Sequence, residues 1–317
     1  MKAYANPALR AAIAVQQRAN RSTVDEWERF ATHRAHVTRL LLEKGSAAPS
    51  PTLCVLGAGN CNDVDLAQVA AVYERIELVD LDVQALSGAV ARHAPAVREK
   101  IGCHAPLDVS GVLGRLPQWR RMNTSESELL SLPQLHAQRI ADVLGRRFDC
   151  VLSCGLLTQL HLPIVEALGA EHPLFEAATQ TLLLTHLRLL RGLTSGGGCA
   201  LLVTELTSNL TLPALDETLS SAELARLFDV VVRQGNVMRI ADPIGLRQVI
   251  ADDPLLRELR VSFGAESEGA ESEGAGSEGT VSPWLWEQGP KRRYLTYALC
   301  LKRLRRTRTD PLISDTK

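Results

Sequence analysis

The stretch Cys54-Val55-Leu56-Gly57-Ala58-Gly59-Asn60-Cys61-Asn62-Asp63 runs an apolar strand straight into a glycine pair and then into polar residues that open a helix. Gly57 can adopt backbone dihedrals closed to other residues, and Gly59 lets a ligand approach the main chain closely. A helix beginning here presents unpaired N–H groups and a partial positive charge. A dinucleotide pyrophosphate or an amino-acid carboxylate suits such a place. Asn62 or Asp63 also suits the helix as an N-cap.

Working outward, Glu77-Leu78-Val79-Asp80-Leu81-Asp82 closes the next strand. Asp80 falls about 20 residues beyond Gly59, the spacing that puts an acid at the neighbouring strand tip to accept hydrogen bonds from ribose hydroxyls. Asp82 suits the N-cap of the helix that follows. A full GxGxxG fingerprint needs a third glycine where Asn62 stands, which weighs against a dinucleotide. A third element, Pro106-Leu107-Asp108-Val109-Ser110, follows the third strand. There Asp108 can accept from an adenine amino group while the Val109 N–H serves a ring nitrogen, or Asp108 can cap a helix. In Phe148-Asp149-Cys150-Val151-Leu152-Ser153-Cys154 a fourth strand ends at Ser153 and Cys154, where a reacting group would face its substrate.

The same alternation extends along the chain. Strands are predicted at 53–56, 75–79, 101–107, 148–153 and 199–204, with helices at 63–73, 83–93, 133–144 and 173–193 between them. This is the pattern of a mostly parallel sheet with helices on both faces. Gly196-Gly197-Gly198 reads as a helix stop. Residues 110–132 read as irregular; beyond them a helix is expected at 222–228 and strands at 255–263 and 294–301. Ahead of the sheet, 11–19 and 22–42 carry helical patterns, with Ser22 as a capped start. Three segments follow: a helical extension or lid over 1–48, a main domain over 49–305, and a basic flexible tail over 306–317. Within the main domain, 265–281 holds ESEGAESEGAGSEG, with no apolar residue larger than alanine, and is expected to be disordered.

Composition sets limits on function. A formal charge of −1 offers no global attraction for nucleic acid or anionic membranes. Lys302, Arg303, Arg305, Arg306 and Arg308 crowd the C-terminal end and read as a solvated basic run. The seven cysteines form no CxxC pair, so buried thiols fit better than a zinc site or a disulfide framework, and no metal centre is expected. No apolar run reaches the roughly 18 residues that span a bilayer, and the first residues lack a signal-peptide pattern. The expected location is cytoplasmic.

Four motifs in order, VLGAGN, ELVDLD, PLDVS and FDCVLSCGLLTQL, resemble the Rossmann-like class I S-adenosylmethionine-dependent methyltransferases over about residues 50 to 205. GGGCALLVTEL fits the fifth strand of that family, and RRYLTYALCLKR its antiparallel last strand. The resemblance implies a doubly wound, mostly parallel seven-stranded α/β sheet whose last strand is reversed. It also implies S-adenosylmethionine as cofactor. Gly57, Ala58 and Gly59 would lie near its methionine part, with Asn62 and Asp63 beside them, Asp80 and Leu81 at its ribose, and Asp108 and Val109 at its adenine. Ser153 and Cys154 would border the methionine part or the methyl acceptor. Three departures stand out. Val55 occupies a position where the family often carries an acid, so the cofactor ammonium needs another anchor, for which Asp63 is a candidate. Asn62 replaces the third small residue of the usual loop. No NPPY-type signature follows strand four, which argues against amino-methylation of bases or glutamine by that subgroup.

Methyl transfer can proceed largely by positioning. If a general base is needed, His161 and Glu205 are the candidates. In the N-terminal helices His33 and Arg34 could meet the cofactor carboxylate, and Trp284 and Trp286 could wall an acceptor pocket. The acceptor stays open, a small molecule or protein being favoured over nucleic acid. A nicotinamide-dependent oxidoreductase and a methyltransferase-like scaffold without catalysis are the alternatives.

Overall fold

The computed structural model describes residues 6–45, 49–263, 282–289 and 291–304. The glutamate, serine and glycine-rich segment and the basic tail lie outside them.

Near-continuous buried runs, covered on both faces as in parallel sheets, build most of the strands β1 Thr52–Leu56, β2 Arg75–Val79, β3 Ile101–His104, β4 Phe148–Cys154 and β5 Thr194–Ser208. They are followed by β6 Leu259–Phe263, β7 Trp284–Glu287 and β8 Arg293–Arg303. The sheet has eight strands in the order β3-β2-β1-β4-β5-β8-β6, with β7 also paired to β8. The first five are mutually parallel, whereas β8 runs antiparallel to β5 along its whole length. β6 takes the outer edge of β8 beside Leu299–Arg303, and β7 takes it beside Arg293–Thr296. The expected seven-stranded sheet with a reversed last strand is present, and β7 is an eighth strand that the sequence did not announce.

The helices are α1 Pro7–Ser22, α2 Ala31–Gly45, α3 Leu66–Val72, α4 Val83–Ala91, α5 Pro95–Arg98 and α6 Leu116–Arg120. After them come α7 Glu126–Leu144, α8 Leu156–Leu168, α9 Phe175–Leu193, α10 Ser221–Gln234 and α11 Pro243–Asp252. On one face of the sheet Leu53, Val55, Leu152, Leu201 and Val203 pack against Val37, Leu40 and Leu41 of α2 and Leu66 and Val69 of α3. On the other, Cys54, Leu56, Val151, Ala200 and Leu202 meet Ile140, Leu182, Leu187 and Leu190 of α7 and α9. Burying each such aliphatic side chain stabilises by about 1.5–3 kcal/mol. The segment ahead of the sheet therefore shares the core, because α2 contributes three wholly buried side chains to it.

Several local expectations are corrected. Ser22 ends α1 instead of opening the second helix, which starts at Ala31; the turns between them spend their backbone carbonyls on the glycine loop. The helix after that loop starts at Leu66 and is capped by Asp65, whose Oδ1 accepts from the Ala67 and Gln68 amides. Asn62 and Asp63 are drawn elsewhere. The 133–144 helix begins earlier, at Glu126, because Ser125 and Glu128 form a reciprocal capping box. Gly196-Gly197-Gly198 lies inside β5, and α9 already stops at Leu193, where the Thr194 hydroxyl donates back to the Leu190 carbonyl at 2.8 Å. Gly198 is needed for proximity, since a β-carbon there would sit 2.6 Å from the Asp149 carbonyl oxygen. Six of the seven cysteines are buried and Cys103 is exposed. Within the basic run, Arg303 is structural, its guanidinium donating to the Arg191 and Thr194 carbonyls.

Candidate functional site

The carboxyl ends of β1, β2, β4 and β5 converge where the strand order reverses about β1 and β4, the place where open α/β sheets bind ligands. The loop after β1 is held to β2 by the Gly57 and Ala58 amides, which donate to the Val79 carbonyl at 2.8 and 3.1 Å. Gly57 and Gly59 both have positive φ, +68° and +48°. A side chain at Gly57 would drive a β-carbon to 2.6 Å from Leu156, so that turn admits only glycine without displacement.

Asp80, 5% exposed, braces this loop from the tip of β2. Its Oδ2 accepts from the Gly59 amide and its Oδ1 from the Asp82 amide, both at 2.8 Å. Burial pushes its carboxyl above the usual range, and those amide bonds pull against the shift. Asp82 caps α4 through the Gln84 and Ala85 amides, as its position in the sequence suggested. Leu81 is partly buried between the two acids. On the loop after β3, Asp108 accepts from the Ser110 amide and hydroxyl at 2.8 and 2.6 Å, and Val109 beside it is buried.

Residues from the N-terminal segment, expected as a lid, close over this loop, through Asn20 and Thr23, which were not among the residues expected there. Asn20, at the end of α1, donates through Nδ2 to Asp82 at 3.1 Å, and its Oδ1 would lie 3.1 Å from a β-carbon on Gly59. Asn60 donates to the Asn20 carbonyl at 2.6 Å and the Thr23 hydroxyl at 3.2 Å, and Asn62 donates to the Thr23 carbonyl at 2.7 Å. Arg34 is buried, its guanidinium 3.4 Å above the Trp27 ring and donating to the Trp27 and Asn62 carbonyls. Its fork is thus spent inside the protein.

A second group gathers beneath α2. His33 is 1% exposed and stacks on Trp286, ring centres 4.4 Å apart. Its Nδ1 accepts from the Trp284 indole N–H at 3.0 Å. An indole nitrogen only donates, so Nδ1 carries no proton and the ring's donor is Nε2. Nε2 faces the Cys154 sulfur at 3.2 Å and Asp63 Oδ1 at 3.4 Å. His33, Asp63 and Cys154 thereby offer ligand atoms within 4.8 Å of one another, a trio the sequence reading did not foresee. A metal on Nε2 would strip the ring of its remaining proton while Trp284 holds Nδ1, so the hydrogen bonding runs from Trp284 through His33 to Cys154, with Asp63 Oδ1 close by but unbonded. Burial, with Asp63 and Glu205 nearby, pushes the Cys154 thiol well up and keeps it protonated.

The two catalytic candidates separate in space. His161, on α8, pairs with the Thr179 hydroxyl at 3.0 Å and packs against Phe175, both contributed by the 173–193 region. Glu205, near the end of β5, is 5% exposed, and its Oε2 accepts from the Thr158 hydroxyl at 2.7 Å. Burial pushes its carboxyl up to about 7. Ser153 turns to the opposite face of the sheet and bonds His186 Nε2 at 2.8 Å. Two clefts, of about 270 and 300 Å³, lie beside Arg146, Arg147, Arg188 and Arg191 and beside Arg34, Thr38 and Asp65. Neither includes the glycine loop, Asp80 or Glu205. No described helix is long and apolar enough to cross a membrane.

The last strand, β8, is reversed as the sequence resemblance implied, and the sheet order places it between β5 and β6. The fold is a Rossmann-like, doubly wound α/β sheet, mostly parallel, with one strand reversed near its edge. No family model matches the sequence, and no curated protein matches it. Among solved structures, an O-methyltransferase family protein from Burkholderia thailandensis is similar at 15% identity and a TM-score of 0.44. The match covers 92% of this chain and 60% of that one, so this chain spans less than two thirds of its length. An rRNA methylase from Streptococcus thermophilus aligns at 10% identity over 85% of this chain and 97% of its own, with a TM-score of 0.39. An O-methyltransferase of tomaymycin synthesis from Streptomyces achromogenes aligns at 13% identity over 84% and 78%, with a TM-score of 0.35. These likenesses are too distant to carry function across.

Proposed function

We propose that this chain is an S-adenosylmethionine-dependent methyltransferase, with the cofactor across the tips of β1, β2 and β3 and the acceptor toward β4 and β5. The observation that carries this reading is the buried Asp80 carboxylate, bonded to the amide of a glycine with positive φ at the strand-order reversal. The donor set fits the cofactor. Each Asp80 oxygen keeps a lone pair for a ribose hydroxyl, and Asp108 keeps its second oxygen for an adenine amino group. Asp63 Oδ1, buried with no hydrogen-bond partner, suits the cofactor ammonium. When bound, the cofactor supplies a sulfonium-activated methyl group. The protein's part is to hold the acceptor in line, exclude water and take up a proton. Glu205, poised near neutrality at the β5 tip, is the proposed base; His161, committed to α9, is the weaker candidate. Asn20 stands against Gly59, so binding involves a shift of the α1 end.

Calorimetric titration with S-adenosylhomocysteine and, separately, NADH tests the proposal. Saturable binding of the former, lost in an Asp80→Ala variant that keeps its circular dichroism spectrum, is the expected result. Binding of NADH alone would overturn it in favour of an oxidoreductase. Silence from both would leave a scaffold without the cofactor.

A further inference from the structure

The chemistry of the methyl acceptor can be read from what surrounds Glu205. Glu205 of β5 and Thr296 of β8 stand directly opposite one another, and Trp284 of β7 opposes Thr296 from the other edge. Directly opposed residues share a face, so all three side chains rise on the side covered by α2. Trp286 and Tyr294 form the next opposed pair, ring centres 5.8 Å apart, and Phe30 meets Trp286 edge-on at 5.6 Å. The Thr158 and Thr204 hydroxyls both address Oε2 of Glu205, at 2.7 and 3.5 Å. Oε1 and the edge of the Trp286 ring both lie above Gly155. A β-carbon built on that glycine would lie 3.4 Å from Oε1 and 3.1 Å from the ring.

Two further polar atoms are unspent. Trp286 Nε1 and Thr296 Oγ1 are buried, on residues 2% and 0% exposed, with no hydrogen-bond partner. Leaving such groups unpaired is unfavourable, and a ligand offsets that cost by pairing with them. The charges near Glu205 do not neutralise it. Asp63 is a second acid, Cys154 is a protonated thiol, and His33 turns an unprotonated Nδ1 to Trp284. Arg292 acts on Tyr294, whose phenol is pushed up mainly by burial. A carboxylate set against aromatic faces beside another acid is short of a cation.

We propose that the acceptor is an amine, recognised as its ammonium ion by Glu205 Oε1 and the rings of Trp286 and Tyr294. This rests on the methyltransferase reading. Thr296 Oγ1 accepts a second ammonium hydrogen bond, and Trp286 Nε1 donates to an oxygen elsewhere on the acceptor. Glu205 takes one proton from the ammonium, leaving a neutral amine. The nitrogen lone pair then forms the new N–C bond while the methyl carbon–sulfur bond breaks, its electron pair staying on sulfur. The nitrogen ends as a methylated ammonium. A hydroxyl acceptor would bring no charge to this site.

The test uses n-butylammonium chloride and its uncharged counterpart 1-butanol, titrated by saturation-transfer NMR at constant ionic strength. Wild type, Glu205→Gln and Trp286→Phe are compared at about pH 8, where Glu205 is ionised, and the wild type again at about pH 5.5. Expected is butylammonium binding that exceeds butanol binding, weakens by about tenfold or more in Glu205→Gln, and weakens in wild type at the lower pH. Equal binding of the two probes, no binding of butylammonium, or an unchanged Glu205→Gln would overturn the proposal. The comparison of probes and of pH in the wild type stands even if a variant fails to fold. S-adenosylhomocysteine is titrated on the same samples. Its binding without ammonium binding sinks this inference alone. Ammonium binding without it sinks the methyltransferase reading and leaves the cation site standing.

Discussion

Gly57 shows how one residue ties the ligand loop to the rest of the molecule. Its φ of +68° is reached by an L side chain at a cost of roughly 1–2 kcal/mol. The Leu156 side chain adds a clash, since it would meet the new β-carbon at 2.6 Å. Gly57→Ala is therefore expected to lower stability by at least about 2 kcal/mol, read as a lower urea midpoint at unchanged m-value. An unaltered midpoint would mean that the turn relaxes freely and that the glycine is not required by the fold. The sequence made Gly57 legible because a glycine pair after an apolar strand has few other uses. Nothing local marked Leu156, 99 positions away along the chain, as its neighbour. Glu205 shows the same divide. Its place at the end of an apolar strand could be read, whereas the burial that raises its pKa depends on other elements closing over it, with the Thr158 hydroxyl pulling against the rise.

At the scale of elements, the connection between α1 and α2 behaves as a strap over the glycine loop. Three asparagine bonds hold it, from Asn60 to the Asn20 carbonyl and the Thr23 hydroxyl and from Asn62 to the Thr23 carbonyl. Asn60→Ala removes two of them, while the Asn20 carbonyl keeps the Thr23 amide at 3.1 Å. Amide hydrogen exchange in residues 20–30 should accelerate, with a loss of about 1–3 kcal/mol in local stability, while the protection of β1 and β4 persists. If exchange slowed or stayed the same, the strap would be held by Arg34 and Trp27 instead. Helical periodicity located both helices but misplaced their junction, because Ser22 has the chemistry of a cap wherever it falls. The α8 helix was read past for a related reason. It follows β4 with only Gly155 between them, and Pro163 lies in its interior.

For the whole molecule, two buried groups of opposite sign shape the response to pH. Burial raises the Glu205 carboxyl to about 7 and lowers the His186 imidazole to about 4. With the folded pKa raised, the Glu205 contribution is complete below its unfolded value of about 4.3 and is lost as pH rises through 7. With the folded pKa lowered, the His186 contribution is complete above about 6.5 and is lost as pH falls through 4. Each slope is about 1.4 kcal/mol per pH unit, so between roughly pH 4.5 and 6.5 these two nearly cancel. Glu205→Gln should therefore expose a stability that falls with acidification over that window, and His186→Leu one that falls with alkalinisation. Urea unfolding at several pH values measures both. Parallel pH profiles in the two variants would refute the burial of one group or the other.

The sequence by itself determined the parallel α/β sheet, the glycine loop after β1, the acid at the tip of β2 and the reversed last strand. The first three depend on residues close along the chain: short apolar runs, a glycine's dihedral freedom, a short strand's reach; the reversed last strand was implied by the resemblance of its motifs. Tertiary structure alone decided that Asn20 and Thr23 cover the loop and that Trp284 sets the protonated nitrogen of His33. It also decided that Ser153 faces away toward His186 and that Glu205 sits among rings from β7 and α2. Those outcomes depend on which elements meet across the sheet, and a polar residue's partner 33 to 251 positions away leaves no periodic mark in the chain.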